Sequence, residues 1–403
     1  MDPLFDPERH EPPCGDVWDE PRALAEIAEI AGLAEAAFDE VRLWPAHPLD
    51  FAIPPTRPLV GLYLGAAGVV FALHALASRR LVKPRRDWGG VVGRLHEGYA
   101  REGGFEPRHV GLLLGESGLA FAAFTLEPTP QLADRILRCI EENFDAAEDE
   151  FMWGSPGTLA LARRMFDATG DARFRDAFRI GAARLLARLR EVPDAGCQLW
   201  LQDLYGAKSY LLGAVHGYVG NVAGLACGLD WLAAPERERL LAEIPRTLAA
   251  TVERSQGACG WPQSVVLHRP KRVSRLVQLC HGAPGIVCAL RDFPVGASAT
   301  LESLLVAAGE LTWRAGPLAK GASICHGTAG NGYAFLELHR RTGDARWIDR
   351  ARRFAMHAIA QSRAHRAEYG TARFSLWTGD LGVALFLADS IRGEGGVPTL
   401  TAW

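Results

Sequence analysis

The chain carries little net charge. Its 44 lysines and arginines almost balance 47 aspartates and glutamates, leaving −3 at neutral pH. That removes the electrostatic reason to expect nucleic acid or an anionic membrane as a partner. Long apolar runs are also missing. Residues 59–77 come closest, but three glycines and a histidine break them, so no integral membrane segment is expected. Residues 1–19 are acidic and proline-rich and lack the basic patch and apolar stretch of a secretory signal. Cysteine is sparse: eight in 403 residues, without a dense, regular spacing. Reduced thiols or metal ligands therefore fit better than a disulfide framework, and a cytoplasmic protein is expected. Apolar residues make up 48% and charged residues 23%, an ordinary globular balance.

What the chain has instead is a repeat. A G-x-x-G segment with apolar flanks occurs seven times, at Gly65/Gly68, Gly115/Gly118, Gly154/Gly157, Gly217/Gly220, Gly282/Gly285, Gly327/Gly330 and Gly379/Gly382. The intervals run from 39 to 65 residues, the length of a two-helix unit with its loops. Apolar runs follow most pairs, such as Val69-Val70-Phe71-Ala72-Leu73. Their alanine and leucine content favours helices over buried strands. Between the glycine segments lie amphipathic stretches, at residues 22–38, 130–144, 236–252 and 345–359. Another places Phe174, Phe178, Ala182, Leu185 and Leu189 on one helical face. Each unit reads as an outer amphipathic helix, a glycine turn and a buried inner helix. The expected fold is all-α: about seven helical hairpins that stack side by side and can close into an α/α toroid, a closure that periodicity alone does not require. Residues 1–20 are expected to form an acidic, proline-rich extension and residues 21–403 a single toroid domain. A ring would gather the seven glycine turns at one rim, where glycine permits close backbone approach.

Three of these turns carry histidine before the first glycine: His216, His281 and His326. Two also carry cysteine, in Cys280-His281-Gly282-Ala283-Pro284-Gly285 and, 45 residues on, Cys325-His326-Gly327-Thr328-Ala329-Gly330. Thiolate sulfur and imidazole nitrogen are the ligands of zinc, and three of them with an open fourth position make a catalytic rather than a structural site. Cys280, Cys325 and His326 are the best metal set. An isolated cysteine would read as core, but two Cys-His pairs in one repeat frame favour metal. His281 stays open between ligand, supporting group and acid. His216, without a neighbouring cysteine, suits general acid–base work. Glu150 lies four residues before Gly154 and would stand near the same mouth, although an acidic run (Glu148-Asp149-Glu150) commonly marks a solvated face. Lys320, one of four lysines, lies five residues before Cys325 and is a candidate to receive a substrate carboxylate.

At these residues the chain resembles the lanthionine synthetase C-like family, the LanC cyclases and their LanC-like relatives. The resemblance runs through all seven glycine segments, roughly residues 55–392. It rests most on His216-Gly217-x-x-Gly220, Cys280-His281-Gly282-Ala283-Pro284-Gly285 and Cys325 to Asn331, with Gly260-Trp261-Pro262 as a further match. It implies one zinc per chain held by Cys280, Cys325 and His326, and His216 as the acid–base residue. The implied reaction adds a thiol to dehydroalanine or dehydrobutyrine, with His216 or His281 quenching the enolate. Leu279 stands where family members often carry tryptophan. Glu150 stands where peptide cyclases resemble one another in carrying aspartate. Glutamate there, and lysine at 320, look like the LanC-like proteins that add glutathione.

The first reading is a lanthionine-forming cyclase acting on a dehydrated precursor peptide, with a dehydratase as possible partner. The alternative is a ligase that joins glutathione or another small thiol to dehydrated peptides or proteins. A toroidal prenyltransferase subunit would use an aspartate among its ligands. A toroidal glycoside hydrolase would need a carboxylate pair such as Glu150 and Asp380, leaving both Cys-His segments idle. A non-catalytic peptide-binding scaffold would keep the fold without needing an open metal site.

Overall fold

A computed structural model describes residues 4–103, 108–204, 206–265 and 275–403. Fourteen α-helices occur among these residues, alternating outer and inner: α1 (Glu20–Ala36) and α2 (Ala66–Ser78), α3 (Gly89–Glu102) and α4 (Glu116–Leu126), α5 (Pro130–Glu142) and α6 (Ser155–Thr169), α7 (Ala172–Ala187) and α8 (Tyr218–Ala226), α9 (Ala234–Thr251) and α10 (Ala283–Ala289), α11 (Ala299–Ala315) and α12 (Thr328–Thr342), α13 (Ala345–Tyr369) and α14 (Asp380–Arg392). None of them is long and apolar enough to cross a membrane.

The two sets differ in how they begin. Side chains of Asp19, Thr129, Asp171, Ser298 and Asp344 cap outer helices α1, α5, α7, α11 and α13. These helices bury one face; in α7 it is the Phe174, Phe178, Ala182 and Leu185 stripe. Every inner helix instead starts at the first glycine of a G-x-x-G segment, with no side-chain cap. The preceding loop folds back and supplies carbonyls to the otherwise unpaired N–H groups. Thus Ala66, Ala67 and Gly68 donate to Leu59, Val60 and Gly61, and Thr328, Ala329 and Gly330 donate to Gly321, Ala322 and Ser323. This wrap explains the second glycine. A Cβ at any of the seven would stand 1.8–2.5 Å from the carbonyl oxygen six residues earlier, such as Ile324 O at Gly330 and Leu62 O at Gly68.

The turns are stitched into a circle by their own backbones. The N–H of Tyr63 donates to Leu113 O, Leu113 to Met152 O and Phe151 to Val215 O. Farther round, Cys280 donates to Cys325 O, Cys325 to Trp377 O and Trp377 back to Tyr63 O. Between the fourth and fifth turns, Gly213 lies so near Cys280 that a Cβ would meet its carbonyl oxygen. Gly68 of α2 abuts Leu376 of the last turn. The fold is therefore a closed α/α toroid of seven hairpins, and closure joins the last repeat to the first.

Short antiparallel strands occupy the two longest gaps: β1 (Arg190–Val192) with β2 (Cys197–Leu199), β3 (Gln202–Leu204) with β4 (Ala207–Leu211), and β5 (Glu253–Ser255) with β6 (Ala258–Gly260). A seventh, β7 (Ser264–Val265), joins β4 with Tyr210 opposite Val265. The N-terminal segment lies against the wall. Glu11 accepts from Gln361 Nε2 and pairs with His357 Nε2, both at 2.7 Å. At the other end, Val397 and Thr399 are fully buried, and the Trp403 ring meets Phe121 of α4 edge-on.

Candidate metal centre

Cysteines 280 and 325 occupy the same place in the repeat, two residues before the first glycine. That is the place whose backbone atoms form the rim circle. The bond from Cys280 N–H to Cys325 O, 3.0 Å, sets the two strands side by side, and both side chains point to one spot. The Sγ atoms of Cys280 and Cys325 and an imidazole nitrogen of His326 all lie within 4.8 Å of one another. Both cysteines are buried and His326 is half-buried. Two soft sulfurs and an imidazole at this spacing fit a tetrahedral divalent ion with the fourth position open. Among the described residues this is the group of His, Cys, Asp and Glu that could hold a metal ion.

Each sulfur already has a neutral donor. Tyr63 Oη donates to Cys325 Sγ at 2.9 Å, and Gln278 Nε2 donates to Cys280 Sγ at 2.9 Å. The hydrogen bond from Cys325 pulls the Cys280 thiol below its ordinary pKa against burial, with help from Gln278 and the charge of Lys320. The same bond, together with burial, pushes Cys325 up. Lys320 itself is exposed. It acts on Cys280 through that charge.

A second group stands near the first. Glu150 is fully buried. Its carboxylate accepts from the Met152 N–H at 3.0 Å and from the Trp153 N–H, and meets His216 Nδ1 at 2.7 Å. A carboxylate only accepts, so Nδ1 carries the hydrogen and Nε2 is the other titrating position. Burial alone would lower the His216 pKa, but the bond to Glu150 and its charge outweigh burial and raise it. The His281 ring lies 6.0 Å from that of His216. Burial and the neighbouring His216 push His281 down to about 4, and its buried Nδ1 has no hydrogen-bond partner among the described residues. The pKa values of the two histidines are shifted in opposite directions.

The fold brings Cys280, Cys325 and His326 into one cluster and joins His216 to Glu150, with His281 beside His216. It engages Asp380 elsewhere: its carboxylate accepts from the Arg373 N–H and faces Arg366. Sequence reasoning missed Tyr63 and Gln278. Tyr63 was findable, because it stands two residues before Gly65 as the cysteines stand before Gly282 and Gly327. It also passed over Asn221 and Asn331, each directly after a second glycine. Their amides donate at 2.9 Å to Asp149 O and Val277 O. They thereby anchor the loops that carry Glu150 and Cys280.

A family profile described as Lanthionine synthetase C-like protein matches residues 60–398. Glutathione S-transferase LANCL1 of Danio rerio is 40% identical over 119 residues, 29% of each chain. LanC-like protein GCL1 of Arabidopsis thaliana is 39% identical over 87 residues, 21% of this chain and 19% of its own. These alignments thus span less than a third of either relative. Among solved structures, Nisin cyclase shares the fold with a TM-score of 0.56 at 15% identity, over 83% of this chain and 94% of that one.

Proposed function

The chain belongs to the lanthionine synthetase C-like family, and from that premise we propose that it adds a thiol to a dehydroalanine or dehydrobutyrine residue of a dehydrated peptide or protein. The observation that carries this reading is the Cys280–Cys325–His326 cluster together with the His216–Glu150 pair, whose imidazole lies 6.0 Å from that of His281, next to Cys280 in the chain. Zinc held by that cluster would supply positive charge favouring the thiolate form of a sulfur donor. The reaction forms a C–S bond at the β-carbon; the π electron pair moves to the α-carbon, which then takes a proton. In this reading His216 delivers that proton from Nε2, which is supported by the bond of Glu150 to Nδ1 that would stabilise the imidazolium. Glu150 is a positioning residue, itself pinned by two backbone N–H groups. His281 has no partner at Nδ1 among the described residues, and its ring lies 6.0 Å from that of His216.

Two thiol sources divide the reading. A small free thiol such as glutathione is favoured by Glu150, by exposed Lys320 as a carboxylate receptor, and by likeness to a relative named for glutathione transfer. Ring closure within a precursor peptide, the first reading from the sequence, becomes the second here, and it would require a dehydratase as supplier. All eight cysteines carry free thiols, which suits a cytoplasmic setting for either.

The test is mass spectrometry of two dehydroalanine peptides incubated with zinc-loaded protein, one with its own cysteine and one without, each with glutathione. A glutathione adduct on both supports the ligase. Loss of the free thiol at unchanged mass supports the cyclase. His216→Asn should retain zinc and lose turnover in either case. No product from either peptide would overturn the proposal.

A further inference from the structure

The hydroxyl of Tyr63 reaches past an intervening repeat to touch a metal-ligand sulfur. In the rim circle the order is Cys280, Cys325, Trp377, Tyr63. Trp377 stands between Cys325 and Tyr63 and is bonded to both. It accepts the Cys325 N–H at 2.8 Å and donates its own N–H to Tyr63 O at 3.2 Å. Its fully buried ring stacks on that of Tyr63, centroids 5.7 Å apart and planes 26° apart. The indole is itself fixed, since Nε1 donates to Thr399 Oγ1 at 3.0 Å in the C-terminal segment. The phenol therefore has its backbone and its ring held, and its Oη ends 2.9 Å from Cys325 Sγ.

We propose that Tyr63 is a positioning residue for the metal centre, orienting Cys325 Sγ and drawing charge from it through the Oη–H···Sγ bond. This rests on the reading of Cys280, Cys325 and His326 as a metal site. Groups that hydrogen-bond a ligand from outside the coordination sphere fix its orientation and tune the metal. Here the consequence is selectivity between sulfurs. A ligand thiolate that accepts a hydrogen bond is a weaker nucleophile, so an electrophilic dehydro residue in the site meets one activated sulfur, that of the incoming thiol. Gln278 makes the matching contact to Cys280 Sγ, so each ligand sulfur has a neutral donor.

Tyr63→Phe removes the hydroxyl and keeps the stacked ring, and cobalt(II) alone is the probe. Loaded with cobalt(II), the variant is expected to show the sulfur-to-cobalt charge-transfer band at lower energy than the unaltered protein. Its metal affinity should be weaker by about tenfold, and Cys325 should be alkylated faster by iodoacetamide in the metal-loaded form. Thr399→Val controls for packing, because it removes the bond to Trp377 Nε1 without touching sulfur. It should lower the melting temperature and leave the band in place. An unchanged band and affinity in Tyr63→Phe would overturn the proposal, as would an equal shift in Thr399→Val. If the unaltered protein binds no cobalt, the metal site itself is wrong and the proposal falls with it.

Discussion

At the scale of single residues, burial and hydrogen-bond partners set the environment of each charged group. Glu150 ends a run of three acidic residues, which by composition looks like a solvated face. Two backbone N–H groups and His216 take it inward instead. Nothing in a charge pattern reveals that, because the decisive partners are amides of its own turn. The cysteines were legible, since soft ligands beside histidine in a repeated frame have a specific chemistry. The role of His281 stayed open in the sequence, and the partnership of His216 with Glu150 was not visible there, because the two lie 66 residues apart. The pair makes a pH prediction. If His216 is the proton donor, kcat/KM falls as pH rises through its pKa. Burial lowers that pKa and the Glu150 bond and charge raise it, with a net rise. Glu150→Gln removes the charge and leaves the burial, so the fall should move to lower pH. A pH–rate profile with the fall in the same place would detach Glu150 from the proton donor.

At the scale of elements, the glycine pairs do two different jobs. The first glycine starts the inner helix and the second makes room for a carbonyl from the loop folded over it. The sequence periodicity located all seven inner helices for this reason: the constraint is steric and recurs at each turn. Five of the seven outer helices were read from their apolar stripe, while α3 and α11 were not assigned, and α13 runs to Tyr369, ten residues beyond the stretch first assigned. The short strands in the two longest gaps were not read, because two to five residues carry too little periodicity to register. Gly330→Val tests the steric argument. Its side chain would meet Ile324 O at 1.8 Å from the Cβ, so a loss of about 3 kcal/mol is expected from overpacking. Thermal or denaturant unfolding measures it, and an unchanged midpoint would mean that the loop does not wrap the helix as described.

At the scale of the whole molecule, closure turns a linear repeat into a site. Cys280 and Cys325 come from adjacent repeats, His216 and Glu150 from two others, and Tyr63 from the first repeat, meeting Cys325 only because Trp377 bonds back to it. Periodicity predicts seven units but not that the seventh pairs with the first; that follows from the curvature of packed helices, which no single repeat encodes. The family profile and the likeness to Nisin cyclase agree with the ring. The measurement that tests the account most directly is the zinc-to-chain ratio of the purified, reduced protein and of Cys325→Ala after supplementation. One zinc per chain, lost together with thiol addition in the variant, is the predicted result. Zinc absent from both, or retained in full by Cys325→Ala, would contradict the convergence of the repeats on one metal centre.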